Sequence, residues 1–129
     1  MRIATWNVNS AKQRMPRLLP WLEQRRPDVV CLQETKLTDS AFHELLDAAL
    51  AGLGYEVAHH GHGGFNGVAL LSRVGLDDVV ADFPGQPQYE GVTEARALSA
   101  TCDGVRIHSL YVPNGREVGS PPLGRRALP

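Results

Sequence analysis

Pro27-Asp28-Val29-Val30-Cys31-Leu32-Gln33-Glu34-Thr35-Lys36 is the stretch that decides the fold. Residues 28–33 form a short apolar run, which predicts a strand buried on both faces. Pro27 stops whatever helix precedes it, and Glu34 leaves the run as a carboxylate entering a loop. Upstream, residues 2–8 alternate and are rich in strand formers, so they predict a first strand. Between the two strands, Met15, Leu18, Leu19 and Leu22 recur at the spacing of one helix face, with Ser10 as its N-cap. Pro16 fits only the first turn of such a helix, and Pro20 should kink or restart it. Downstream, Thr38, Asp39 and Ser40 offer caps for a second helix. Phe42, Leu45, Leu46, Ala49 and Leu53 give its apolar stripe, and Gly52 and Gly54 mark its end.

Further on the pattern changes. Residues 55–60, 67–72 and 76–82 predict strands separated by Gly-rich or charged turns. Residues 83–92 contain Pro84, Gly85, Pro87 and Gly91 and predict a loop. Residues 94–102 and 105–112 predict a hairpin closed by Asp103-Gly104, and Pro113-Asn114-Gly115 ends the last strand. The order β-α-β-α-β followed by β predicts a mixed α/β fold with helices on one face of a mixed sheet.

The chain has 129 residues, enough for one domain and too few for two. With 13 basic and 14 acidic side chains its net charge is −1, which gives no argument for a bulk electrostatic binder. Lys12, Arg14, Arg17, Arg25 and Arg26 nonetheless crowd one segment, either as a solvated helix face or as a track for phosphates. No apolar run approaches the ~20 residues that cross a bilayer, so no membrane is expected. Cys31 and Cys102 lie in apolar runs and read as reduced core thiols of a cytoplasmic protein, with a disulfide between them as the alternative.

Ligands of open α/β sheets gather at the carboxyl ends of strands. Asn7 ends the first strand, Gln33 and Glu34 the second, and Tyr111 and Asn114 the last. A carboxylate at such an end suits a hard cation that keeps several waters. A neighbouring Asn can orient a bound water or a phosphate oxygen, and a Tyr hydroxyl can stabilise charge. The bland alternative is a surface acid at 34 and a half-buried core aromatic at 111. His59, His60 and His62 match no zinc-finger spacing and read as a turn between strands. No helix follows Gly61, Gly63 and Gly64, so a phosphate-cradling loop is not expected there.

Residues 27–36 resemble the signature of the exodeoxyribonuclease III and abasic-site endonuclease family of DNA-repair nucleases, within the endonuclease/exonuclease/phosphatase superfamily. Residues 1–10, with Thr-Trp-Asn-Val-Asn-Ser, resemble its opening strand. Asn66 followed by Gly-Val-Ala-Leu-Leu-Ser-Arg resembles its central strand. Arg96 with Leu-Tyr-Val-Pro-Asn-Gly at 110–115 resembles its third block. The resemblance implies the N-terminal half of a four-layer α/β sandwich, similar in fold to deoxyribonuclease I and phosphoinositide phosphatases. It implies a hydrolase that cuts phosphodiesters with Mg²⁺ or Mn²⁺, as abasic-site endonuclease and 3′-5′ exonuclease, on double-stranded DNA with abasic sites or 3′ ends. Position by position, Glu34 and Asn7 match the metal site, Tyr111 the catalytic Tyr at the attacked phosphate, and Arg96, Asn114 and Asn66 substrate-binding positions. Family members are expected to be monomeric.

The family's Gly-Asp-x-Asn segment and late Asp-His pair have no counterpart in this sequence. The resemblance is expected to run over residues 1–120, the first half of a family domain. Residues 121–129, with three prolines and Arg125-Arg126, read as an aberrant, unstructured tail such as a frameshifted or truncated gene product carries. Two other readings follow. One is a non-catalytic fragment or a binding module completed by a partner; the other is a phosphoesterase of the same fold acting on lipid or nucleotide phosphates. If the second sheet is largely absent, Val68, Leu70 and Ile107 should lose their cover and invite association, leaving a marginally stable chain with little nuclease activity.

Overall fold

The strand over Val29–Gln33 lies at the heart of the molecule, buried along its whole length. The structure, a computed structural model, describes residues 1–113. β1 (Ile3–Asn7), α1 (Ala11–Arg25), β2 (Val29–Gln33), α2 (Asp39–Gly52), β3 (Glu56–His60) and β4 (Val68–Ser72) come first. β5 (Asp77–Ala81), β6 (Ala97–Cys102) and β7 (Val105–Leu110) follow. The first sheet has the order β1-β2-β4-β3, and β5-β6-β7 form a second sheet. β1 and β2 run parallel, as their crossover through α1 requires, while β4 is antiparallel to both β2 and β3.

All five residues of β2 and all five of β4 are buried, and alternation sends them to two different cores. Val30, Leu32, Ala69 and Leu71 meet Leu18 and Leu22 of α1 and Phe42, Leu46 and Leu50 of α2. Val29, Cys31, Val68 and Leu70 meet Leu98, Ala100, Cys102 and Ile107 of the second sheet. The result is a helix layer, a mixed sheet and a second sheet. Burial of each Leu or Val here is worth roughly 1.5–3 kcal/mol.

The expectation that Val68, Leu70 and Ile107 lose their cover is overturned. They are 0%, 0% and 7% exposed, because β6 and β7 pack directly over β2 and β4. Apolar surface is left open on the second sheet and its flank, where Val80, Phe83 and Leu110 are 47%, 48% and 50% exposed.

α1 also differs from expectation. It runs unbroken from Ala11 through Pro16 and Pro20. Both prolines and Lys12 lie four apart on the solvent side, where the carbonyls they leave unbonded can take water. Ser10 caps the helix, its Oγ accepting from Gln13 N at 3.2 Å, and Arg26 closes it in the left-handed conformation at φ 45°. Thr38 caps α2 by accepting from Ala41 N at 3.1 Å. The β6–β7 hairpin turns at Asp103 and Gly104, both at positive φ (49° and 75°), as a two-residue turn demands.

Cys31 and Cys102 are free thiols in the core between the sheets. Burial, with the neighbouring Cys102, pushes the Cys31 thiol up to about 11. Among the described residues no helix is long and apolar enough to cross a membrane.

Candidate active site

Parallel pairing places Asn7 opposite Gln33, so Asn7 and Glu34 leave neighbouring strands at the same end of the sheet. Glu34 then turns into the left-handed region at φ 55°, and Lys36 does so at φ 57°. A non-glycine residue held there is strained unless its surroundings fix it. Four backbone bonds do so. Ser10 N donates to Glu34 O (2.8 Å), Ala11 N to Thr35 O (3.0 Å), Thr35 N to Gly67 O (3.1 Å) and Lys36 N to Asn66 O (3.0 Å).

The backbone thereby aims the carboxylate of Glu34 back at β1. Asn7 Nδ2 donates to Glu34 Oε1 at 2.8 Å, and Asn9 N donates to Asn7 Oδ1 at 3.1 Å. Lys36 Nζ donates to Asn9 Oδ1 at 2.6 Å and stands 3.6 Å from Glu34 Oε2. The Glu34 side chain is 22% exposed, so the pair is reachable from solvent. Among the described residues no group of three or more His, Cys, Asp and Glu could hold a metal. The donors at hand are one carboxylate and the amide oxygen of Asn7, all hard oxygens. That set fits a small divalent cation that retains most of its waters and does not fit a thiophilic metal.

β7 crosses over β2, and Ser109 near its end reaches the last residues of that strand. Ser109 Oγ donates to Leu32 O at 3.0 Å, and Gln33 Nε2 donates to Thr5 Oγ1 at 2.9 Å and Ser109 Oγ at 3.4 Å. Tyr111 follows directly, its N donating to Arg96 O at 2.9 Å and its half-buried ring packing against the core between the sheets.

Asn66 and Arg96 converge on a residue that the sequence analysis missed. Asn66 Nδ2 donates to Glu94 Oε2 at 3.0 Å, and an Arg96 guanidinium nitrogen stands 3.6 Å from Glu94 Oε1. The Arg96 side chain is only 8% exposed. Read as the start of β6, Glu94 gave no sign of this role; the strand begins three residues later, at Ala97. Arg96 Nε, Glu94 Oε1 and Gln86 Oε1 are buried without hydrogen-bond partners among the described residues. Gln86 and Arg96 line a cleft with Phe83, Pro87, Leu110, Tyr111 and Pro113, whereas Glu94 lines a second hollow with Phe65 and Asn66. Asn114 and the expected tail at 121–129 fall outside the described residues.

His59 and His60 end β3, as the strand expected over residues 55–60 requires and not as part of the turn after it. His60 Nε2 bonds Asp82 Oδ1 at 3.0 Å. The His59 side chain is fully enclosed, stacked on Phe42 with 4.2 Å between ring centres. Its Nε2 lies 2.7 Å from Thr35 Oγ1 and its Nδ1 2.7 Å from Asp39 Oδ1. Burial lowers the His59 pKa, against a smaller raising effect of Asp39. A buried partner at hydrogen-bonding distance leaves no mark on strand periodicity, so nothing local in the sequence could have found this chain of contacts.

A model described as the Endonuclease/Exonuclease/phosphatase family matches residues 4–128. Exodeoxyribonuclease III of Haemophilus influenzae is 40% identical over 74 residues, covering 57% of this chain and 26% of that protein. Among solved structures, a 3′-5′ exonuclease from Neisseria meningitidis superposes with a TM-score of 0.87 at 35% identity, over 98% of this chain and 47% of that one. An AP endonuclease from Archaeoglobus fulgidus superposes with a TM-score of 0.83 at 35% identity, over 94% of this chain and 44% of that one. The chain thus spans about half the length of these structures, and the stretch matched to the Haemophilus protein covers about a quarter of that protein. The expected α/β half-sandwich is the fold observed.

Proposed function

The chain belongs to the endonuclease/exonuclease/phosphatase family, and on that premise we propose that it carries the metal-carboxylate half of a DNA-repair phosphodiesterase site. The observation that carries this reading is the Asn7–Glu34 contact at 2.8 Å, where two parallel strands end together. In this reading Glu34 and Asn7 hold Mg²⁺ or Mn²⁺. When bound, such an ion offsets phosphodiester charge and polarises a phosphoryl oxygen.

The remaining roles belong to side chains. Tyr111 offers its phenol to the phosphate and stabilises charge as it builds up. Arg96, held by Glu94, supports Tyr111 through its backbone carbonyl and adds positive charge behind the phosphate. Asn66 fixes Lys36 and Glu94 together, and Asn114 extends the substrate contacts. Among the described residues no hydrogen bond or ion pair joins an Asp or His to Glu34 or Asn7. The proposal therefore assigns no general base to them, and it gives the 129-residue chain metal-dependent substrate binding with little turnover.

The substrate proposed is double-stranded DNA with abasic sites or 3′ ends, supported by the names that the similar proteins carry. The test is fluorescence anisotropy of the chain with a labelled abasic duplex, competed by unlabelled duplex, inositol phosphates or sphingomyelin. Mg²⁺-dependent binding that duplex displaces, and that Glu34→Gln loses, is expected. Binding indifferent to metal, or displaced best by inositol phosphates or sphingomyelin, overturns the assignment.

A further inference from the structure

We propose that Asp39, His59 and Thr35 form a positioning relay that holds Glu34 in its metal-binding attitude; this rests on the metal reading of Glu34 above. Three elements meet in the relay: the first turn of α2, the strand β3 and the loop after β2. Asp39 Oδ1 is bonded at 2.7 Å by His59 Nδ1 and at 2.9 Å by the backbone N–H of Gly61. A carboxylate only accepts, so Nδ1 carries the proton. In the neutral ring Nε2 is then an acceptor, and the Thr35 hydroxyl must donate to it across 2.7 Å. The direction of every proton in the chain is fixed by the carboxylate at its far end.

Thr35 is fully buried, so its hydroxyl cannot meet a substrate, and the resemblance to a nucleophilic triad is one of form only. Its position explains it better. Thr35 lies between the two left-handed residues Glu34 and Lys36, and its N–H and C=O are both bonded, to Gly67 and Ala11. Gly67, itself at φ 91°, passes so close to Thr35 Oγ1 that an added Cβ would collide with it. The Thr35 hydroxyl is therefore held between the backbone at Gly67 and the His59 ring. The ring in turn cannot swing, stacked on Phe42 at an interplanar angle of 14°. Releasing the Thr35 hydroxyl would let the left-handed turn relax, and the Glu34 carboxylate would lose its aim at Asn7.

The test is calorimetric titration of Mn²⁺ into the full chain and into Thr35→Val, Thr35→Ser, Asp39→Asn and Glu34→Gln, with circular dichroism reporting the folded fraction of each. Thr35→Val keeps the shape and removes the hydroxyl; Thr35→Ser keeps the hydroxyl. Glu34→Gln should abolish binding. Thr35→Val should weaken it about tenfold, in the range that supporting residues of metal ligands command. Thr35→Ser should stay within about twofold of the parent, and exposed Asp39→Asn should fall between. A Thr35→Val chain that is folded and binds like the parent overturns the relay while leaving the metal reading intact. If Thr35→Val does not fold, Asp39→Asn decides, and parental affinity in it overturns the relay. Binding unaffected by Glu34→Gln, or absent from the parent, overturns both.

Discussion

Asn7 and Glu34 are 27 positions apart in sequence, yet the amide nitrogen of one donates to a carboxylate oxygen of the other at 2.8 Å. The in-register parallel pairing of β1 and β2 makes this contact, and the left-handed turn at Glu34 aims it. Asn7→Ala should leave the fold intact, because Asn7 is exposed on an edge strand, and weaken Mn²⁺ binding about tenfold. Calorimetry beside a thermal melt checks both halves of that expectation.

Ser109 ties the two sheets together by donating to Leu32 O from a fully buried position. Ser109→Ala removes that inter-sheet donor and one partner of Gln33, which keeps Thr5. Destabilisation of about 0.5–1.5 kcal/mol is expected from a lost buried hydrogen bond. Urea unfolding at constant slope measures it; a loss near zero would mean that water enters between the sheets.

Stability should depend on pH through His59. Burial lowers its folded pKa, so unfolding takes up a proton below the ordinary value of 6.5. The stability that the neutral ring contributes is therefore complete above pH 6.5 and is lost as pH falls from there through the lowered folded value. His59→Gln should be less stable at pH 7.5 and should flatten the fall toward pH 5 in urea midpoints. An unchanged slope would assign the acid sensitivity to other groups.

The outer face of the second sheet should make the chain associate. Val80 and Leu110 are 47% and 50% exposed, and Phe83 is 48% exposed nearby. Val80→Lys with Leu110→Lys should reduce dye binding and concentration-dependent light scattering without lowering the melting temperature.

Much of this was legible in the sequence, and the failures have physical causes. The run through Cys31 announced a doubly buried strand because two cores leave no exposed position in it. Asp103-Gly104 announced its hairpin because few other dipeptides accept two positive φ values. The same logic misjudged Pro16 and Pro20. A proline's cost depends on whether the freed carbonyl can find water, which only the orientation of the helix decides. Cover for Val68, Leu70 and Ile107 was underestimated because three short strands suffice to roof the pair β2 and β4. The Glu34–Asn7 pair was visible as two strand ends; Glu94 and the His59 relay were not, since no strand pairing marks either set of contacts.

In the proposed site Glu34 grips a divalent ion beside Asn7. Electron paramagnetic resonance of Mn²⁺ titrated into the purified chain measures this. The free-ion signal should fall with one site per chain, and Glu34→Gln should restore it in full. An equal loss of signal in the parent and in Glu34→Gln, with both folded, would contradict it.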